Sequence, residues 1–111
     1  MERISEAQKA YRGGVSGVKY LARGPKIDWG VILLLPGERL GPHYHHEVEE
    51  TFFFIQGRAK MVVNGVEHQA EAGDAFRMEP PEGHDIWNDT DQPTRLVFIK
   101  CPYLPQDKVD L

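Results

Sequence analysis

Short apolar stretches recur along the chain, each closed by glycine, proline or asparagine. The breaks fall at Gly13-Gly14, Gly24-Pro25, Pro36-Gly37, Gly41-Pro42, Gly57, Asn64-Gly65, Gly73-Asp74, Pro80-Pro81 and Gln92-Pro93. Runs this short, with punctuation this regular, predict strands of a sandwich or barrel and not a helical bundle. The predicted strands are Val18 to Ala22, Asp28 to Leu35, His43 to Glu47, Glu50 to Gln56, Ala59 to Val63, Val66 to Ala70, Ala75 to Met78, His84 to Trp87 and Thr94 to Lys100. All are rich in the β-branched and aromatic residues that pack well on a pleated surface. One connection is specified locally: Asn64-Gly65 supplies the positive φ angles of a two-residue type I′ turn, so Lys60 to Gln69 reads as a hairpin. Helical spacing occurs only in residues 2–11, where Ile4, Ala7 and Tyr11 predict a short helix. Pro102-Tyr-Leu-Pro105 cannot continue a central strand, because proline has no amide to donate. The tail is expected over the surface or against a second subunit.

The fold class is therefore all-β, and 111 residues allow a single core, so residues 1–111 form one domain with an arm (1–14) and a tail (102–111). The 13 basic and 17 acidic residues give a net charge of −4, scattered along the chain. No basic face is offered to nucleic acid or to anionic lipid. The longest apolar run, Val31 to Leu35, is far too short to cross a bilayer. No secretory signal opens the chain, and a cytoplasmic location is expected. Cys101 is the one cysteine and is expected to be a small buried or half-buried residue.

Chemistry concentrates in Gly37-Glu-Arg-Leu-Gly-Pro-His43-Tyr-His45-His46-Glu47-Val-Glu49-Glu50. Alternation in a strand sends His43 and His45 to one face, and Tyr44 and His46 to the other. Two imidazoles held close inside a barrel suit a bridging transition metal. Glu50 is out of parity with His45, so a turn or bulge near Glu47-Val48 is required before it can join them. Glu50, Phe52 and Phe54 then share a face. A second segment, Gly73 to Asn88, brings His84, which faces with Ile86 and away from Asp85 and Trp87. Three histidines and one carboxylate leave open positions on a five- or six-coordinate metal.

These two segments resemble the two motifs of the cupin superfamily. The first, a glycine, five residues, His-x-His, three or four residues, Glu, six residues and Gly, is met by Gly37, His43, His45, Glu50 and Gly57. The second is met by Gly73, His84 and Asn88 at the family's distances, but Pro81-x-Gly83 runs directly into His84 instead of ending two residues earlier. Glu47 or Glu49 could take the acidic position, since the family tolerates two spacings, but only Glu50 keeps six residues before Gly57. The resemblance implies a cupin-type β-barrel, the double-stranded β-helix or jelly roll. It also implies a divalent transition metal (Fe, Mn, Ni, Zn or Cu) on His43, His45, Glu50 and His84. For activity it suggests a dioxygenase, with isomerases, cyclases and lyases close behind, or a sensor module that binds a ligand without turnover. A metal kept for structure alone ranks last, because structural sites favour closed, thiolate-rich tetrahedra.

The remaining candidates have plainer readings. His46 and His68 are expected in solvent, and Glu47 and Glu49 on a solvated face. Phe52, Phe54, Trp29, Phe76, Met78 and Phe98 are expected mostly in the core, and Trp87 in a sheet or subunit contact. Asn88 is expected to hold a turn or to orient His84. The strands bearing the ligands carry no Lys or Arg on the ligand face, which argues against a sugar-phosphate isomerase. The expected partner is a small, partly apolar molecule. The arm and tail suit a two-fold homodimer, as cupins commonly form.

Overall fold

A computed structural model describes residues 1–111. Ten strands follow one 3-10 turn at Glu6–Gln8: β1 (Gly17–Arg23), β2 (Asp28–Leu34), β3 (His43–His45), β4 (Glu49–Gln56), β5 (Arg58–Val63), β6 (Val66–Glu71), β7 (Ala75–Met78), β8 (His84–Trp87), β9 (Thr94–Cys101) and β10 (Lys108–Asp110). They form two antiparallel five-stranded sheets, ordered β1-β2-β9-β4-β7 and β10-β3-β8-β5-β6. This is the all-β architecture that the sequence pattern predicts, in the double-stranded jelly-roll form that the family resemblance implies.

Alternation sets what faces inward. Phe52 lies opposite Phe98 and Phe76, and Phe54 opposite Leu96, which is in turn opposite Ile32. Ile32, Leu34, Phe52, Phe54, Leu96 and Phe98 join Ala59, Met61, Ala70, Met78 and Ile86 in one buried cluster. At ~1.5–3 kcal/mol per large side chain, this cluster is the main force closing the two sheets. Ile32, Leu34 and Phe98 of this cluster border the cavity that His43, His45 and Glu50 also line. Met78 belongs to the core and Phe76 packs half-buried against it. Trp29, expected inside, is opposite Ile99 on the outer face instead, because Asp28, Gly30 and Ile32 take the inward positions of β2. The hairpin at Asn64-Gly65 forms as predicted, with Asn64 at φ 48 and Gly65 at φ 82.

Beyond Trp29, two expectations fail and a third is incomplete. Residues 2–11 make a single 3-10 turn rather than a helix, because the segment is laid across β1. There Lys19 Nζ reaches the Glu6 carboxylate at 3.4 Å and stands 4.0 Å from the Tyr11 ring centre. The tail is not just a surface strap: beyond Pro105 it adds β10 to the free edge of β3, with Lys108 opposite His45. Cys101 is exposed, because it lies on the outward parity of β9. No helix is long and apolar enough to cross a membrane.

Candidate metal centre

His43 and His45 point inward from β3, and His84 opens β8 directly opposite His43. Glu50 comes from the other sheet. The chain bends at His46-Glu47 between β3 and β4, and this resets the parity so that Glu50 turns inward with Phe52 and Phe54. All four side chains are buried. Glu50 Oε1 lies 3.4 Å from His43 Nε2 and 3.1 Å from Nε2 of both His45 and His84. The four candidate ligand atoms all fall within 4.8 Å of one another.

The hydrogen bonds on the far side of the rings decide the chemistry. His43 Nδ1 donates to the Gly41 carbonyl at 2.9 Å, and His84 Nδ1 donates to the Glu82 carbonyl at 3.0 Å. A carbonyl only accepts, so both Nδ1 atoms carry the proton, and in the neutral ring Nε2 is a lone pair. Those lone pairs face a carboxylate oxygen. Such an arrangement is repulsive unless the rings are protonated or a cation lies among them. Ligand atoms each ~2.1 Å from one ion, at angles between octahedral and tetrahedral, stand about 3.0–3.4 Å apart, which matches the spacing around Glu50 Oε1. The donor set therefore fits a divalent metal ion. Burial opposes ionisation of Glu50; only with the rings of His43, His45 and His84 protonated at Nε2 and donating to it is the carboxyl held well below its ordinary range.

The surrounding loops orient these rings. Asp85 Oδ1 accepts from the Gly41 amide at 2.8 Å and Oδ2 from Arg39 Nε at 3.0 Å, which fixes the loop whose carbonyl holds His43. His45 Nδ1 is the one buried side-chain polar atom without a hydrogen bond, and Asp107 Oδ2 lies 4.0 Å from it. That carboxylate accepts 2.9 Å hydrogen bonds from the amides of Glu47 and Val48 at the bend. Burial opposes its ionisation too, but the two N–H groups prevail and lower its pKa.

Beside the cluster lies a cavity of about 230 Å³, whose walls include Val18, Ile32, Leu34, Leu40 and Phe98 together with Tyr20, Arg12 and Lys100. No Lys or Arg comes from the ligand-bearing strands β3, β4 and β8, as expected. The neighbouring strand β9 supplies Lys100 and the N-terminal arm supplies Arg12. The alternation Thr94, Leu96, Phe98, Lys100 signals the first, since all four share the inward face. Asp107 carries no comparable signal, because it arrives from a terminal segment whose path is set by packing, whereas Arg12 is turned back toward β1 by the reversal at Gly13-Gly14.

The other candidates fall out as follows. His46, His68 and Glu47 are exposed and Glu49 is half-buried, so none joins the cluster. Asn88 holds a turn and does not touch His84: its amide donates to the carbonyls of Leu34 and Gln92, and its oxygen accepts from Thr90. Trp87 is half-buried under the Arg39 guanidinium. Of the aromatic residues considered, Phe98 lines the cavity.

Several known proteins are similar. The tetracenomycin polyketide synthase protein TcmJ of Streptomyces glaucescens is 32% identical over 80 residues, covering 72% of this chain and 54% of TcmJ. Protein SchB of Streptomyces halstedii is 31% identical, over 69% of this chain and 56% of its own. The chain thus spans about half the length of the curated relatives it matches. Among solved structures, an uncharacterised conserved protein with a double-stranded β-helix domain from Klebsiella pneumoniae superposes with a TM-score of 0.84. It has 19% identity and covers 99% of this chain and 96% of its own. The sequence profile of the cupin domain matches residues 30–100, a stretch that holds all four members of the cluster, and the chain belongs to the cupin family.

Proposed function

We propose that this protein is a mononuclear metalloenzyme in which His43, His45, Glu50 and His84 hold one divalent transition metal beside a small-molecule site, with dioxygenation as the reaction type. The observation that carries this reading is the convergence of three imidazole Nε2 atoms on one carboxylate oxygen, at the wall of a cavity. When bound, the metal supplies Lewis acidity toward a substrate oxygen and, if it is iron, one-electron chemistry with O₂. The chain's own residues do the rest. Gly41 and Glu82 lock two rings in the ligating tautomer. Glu50 offsets one unit of the ion's charge. Ile32, Leu34, Leu40 and Phe98 exclude water from the substrate and favour an apolar body.

Oxygen uptake by the Fe(II)-loaded protein over a panel of catechols, thiols and β-dicarbonyls tests the reaction type. Uptake with one of these and none with Zn(II)-loaded protein is the expected result. Equal turnover of the same compound with Zn(II) overturns dioxygenation in favour of a Lewis-acid reaction, isomerisation or ring closure. That second reading draws support from TcmJ, whose name places it in polyketide synthesis. The β-dicarbonyl oxygens of a polyketide chain are suited to chelating a divalent ion. Tight binding of a panel member with no product points instead to a sensor module.

A further inference from the structure

The cavity wall opposite the histidines carries more positive charge than the protein neutralises. Tyr20 projects inward from β1, and three cations crowd its ring. The Arg23 guanidinium stacks at 4.0 Å from the ring centre, Lys100 Nζ lies at 5.1 Å and the Arg12 guanidinium at 5.7 Å. One carboxylate, Asp28, serves this group, and Arg23 engages both of its oxygens at 3.3 Å while Lys100 stands 3.8 Å away. Arg12 meets no carboxylate, and its one side-chain hydrogen bond goes to the Tyr20 hydroxyl at 3.5 Å. Lys100 Nζ donates to the same hydroxyl at 2.9 Å. A phenol oxygen has two lone pairs and one proton. With both lone pairs facing cations, the Tyr20 O–H is left to donate into the cavity.

The same wall adjoins the candidate metal centre, because Lys100 is the cross-strand neighbour of Glu50 and side chains opposite one another share a face. Arg39 and Lys108 also border the cavity, but Asp85 and Asp110 already pair with them at 3.0 and 3.1 Å. Arg12 is delivered by a tight reversal at Gly13-Gly14, with Tyr11 bridged to Gly14 and the Arg12 amide bonded to the Val18 carbonyl. Ser16 Oγ, donating to Glu38 at 2.9 Å, pins this arm to the mouth.

We infer that Tyr20, Lys100 and Arg12 form an oxyanion subsite that takes the carboxylate of a small organic acid, with its apolar body against Ile32, Leu34 and Phe98. A carboxylate suits three donors of this kind, two of them cationic. A phosphate calls for further donors, commonly backbone amides, and those of Arg12, Gly13 and Gly14 are spent inside the arm's own turn. A volume of about 230 Å³ lies below the ~300–1,000 Å³ of drug-sized sites, which favours a compact acid. The inference deepens the proposed function by naming its substrate class, and it rests on that reading only in calling the acid a substrate.

Benzoate, benzamide and inorganic phosphate are the probes, titrated calorimetrically into chelator-treated and Zn(II)-loaded protein. Benzoate is expected to bind both forms and to exceed benzamide by at least about tenfold. Lys100→Met is expected to weaken benzoate about 10- to 100-fold, and Tyr20→Phe about fivefold, as lost hydrogen bonds of these types do. Arg12→Gln, on the exposed arm, is expected to weaken it as well without disturbing the barrel. This keeps the test valid if Lys100→Met fails to fold. Benzoate binding no tighter than benzamide overturns the subsite, as does wild-type affinity in both Tyr20→Phe and Arg12→Gln. Phosphate binding more tightly than benzoate overturns the carboxylate assignment. Benzoate binding that needs Lys100 in protein that takes up no metal supports the subsite while defeating the metalloenzyme, so the two failures are distinguishable.

Discussion

Zn(II) or Mn(II) added to chelator-treated protein is expected to raise its unfolding temperature, and the size of the shift follows from the chain's length and the metal's affinity. At a free-ion concentration of one hundred times Kd, ligation of the native state alone stabilises it by about 2.7 kcal/mol. A domain of 111 residues unfolds with an entropy of about 0.23 kcal/mol/K. The expected shift is therefore about 12 °C. Glu50→Gln probes the cause. Its amide can donate to the imidazole lone pairs that a carboxylate only repels, so the metal-free variant is expected to melt no lower than the metal-free parent. It lacks the charge that binds the ion, however. A hundredfold loss of affinity at the same metal concentration leaves a gain of about 0.4 kcal/mol, or about 2 °C. Differential scanning calorimetry with and without metal, coupled to elemental analysis, reads both quantities. If the parent shows no shift with any of Fe(II), Mn(II), Ni(II), Zn(II) and Cu(II), the tautomer argument is wrong. An equal shift in Glu50→Gln and His84→Ala would place the metal elsewhere on the chain.

Further predictions concern the frame around the site. Asp107→Asn is expected to cost about 1–3 kcal/mol at pH 7 by weakening the caps on the Glu47 and Val48 amides. The folded-state pKa of Asp107 is lowered, so its contribution is full above the unfolded value near ~4 and is lost as pH falls through the lower folded value. Urea melts of parent and variant should accordingly differ at pH 7 and converge under stronger acid. A gap that widens as the pH drops would contradict this. Gly30→Ala sets a methyl 2.1 Å from the Lys19 carbonyl oxygen and 2.9 Å from Tyr20 Cα. Backbone cannot yield as a flexible side chain does, so a loss of about 2–4 kcal/mol is expected in the same melts, and a neutral result would mean that β1 can move off β2. Asn88→Ala removes the side-chain donor to the Leu34 carbonyl and the acceptor of the Thr90 amide, while the Gln92 carbonyl keeps Thr90 Oγ1. It is expected to cost about 2–4 kcal/mol while leaving metal stoichiometry at the parent's value, since Asn88 does not touch His84.

Most of the candidate site is legible in the sequence because its cause is local. His43 and His45 share a face through the period of a strand, and Glu50, Phe52 and Phe54 share theirs for the same reason once the chain bends at His46-Glu47. The Asn64-Gly65 turn and the alternation along β9 are likewise written in neighbouring residues. What the tertiary structure alone decides is which segments meet. That Asp107 caps the bend beside His45, that β10 covers the edge of β3, and that Lys100 reaches Tyr20 depend on contacts between residues 60 to 80 positions apart. No local period or turn rule encodes such pairings. They are selected when the two sheets close on their shared apolar cluster, and the polar groups at the open end are left to satisfy one another.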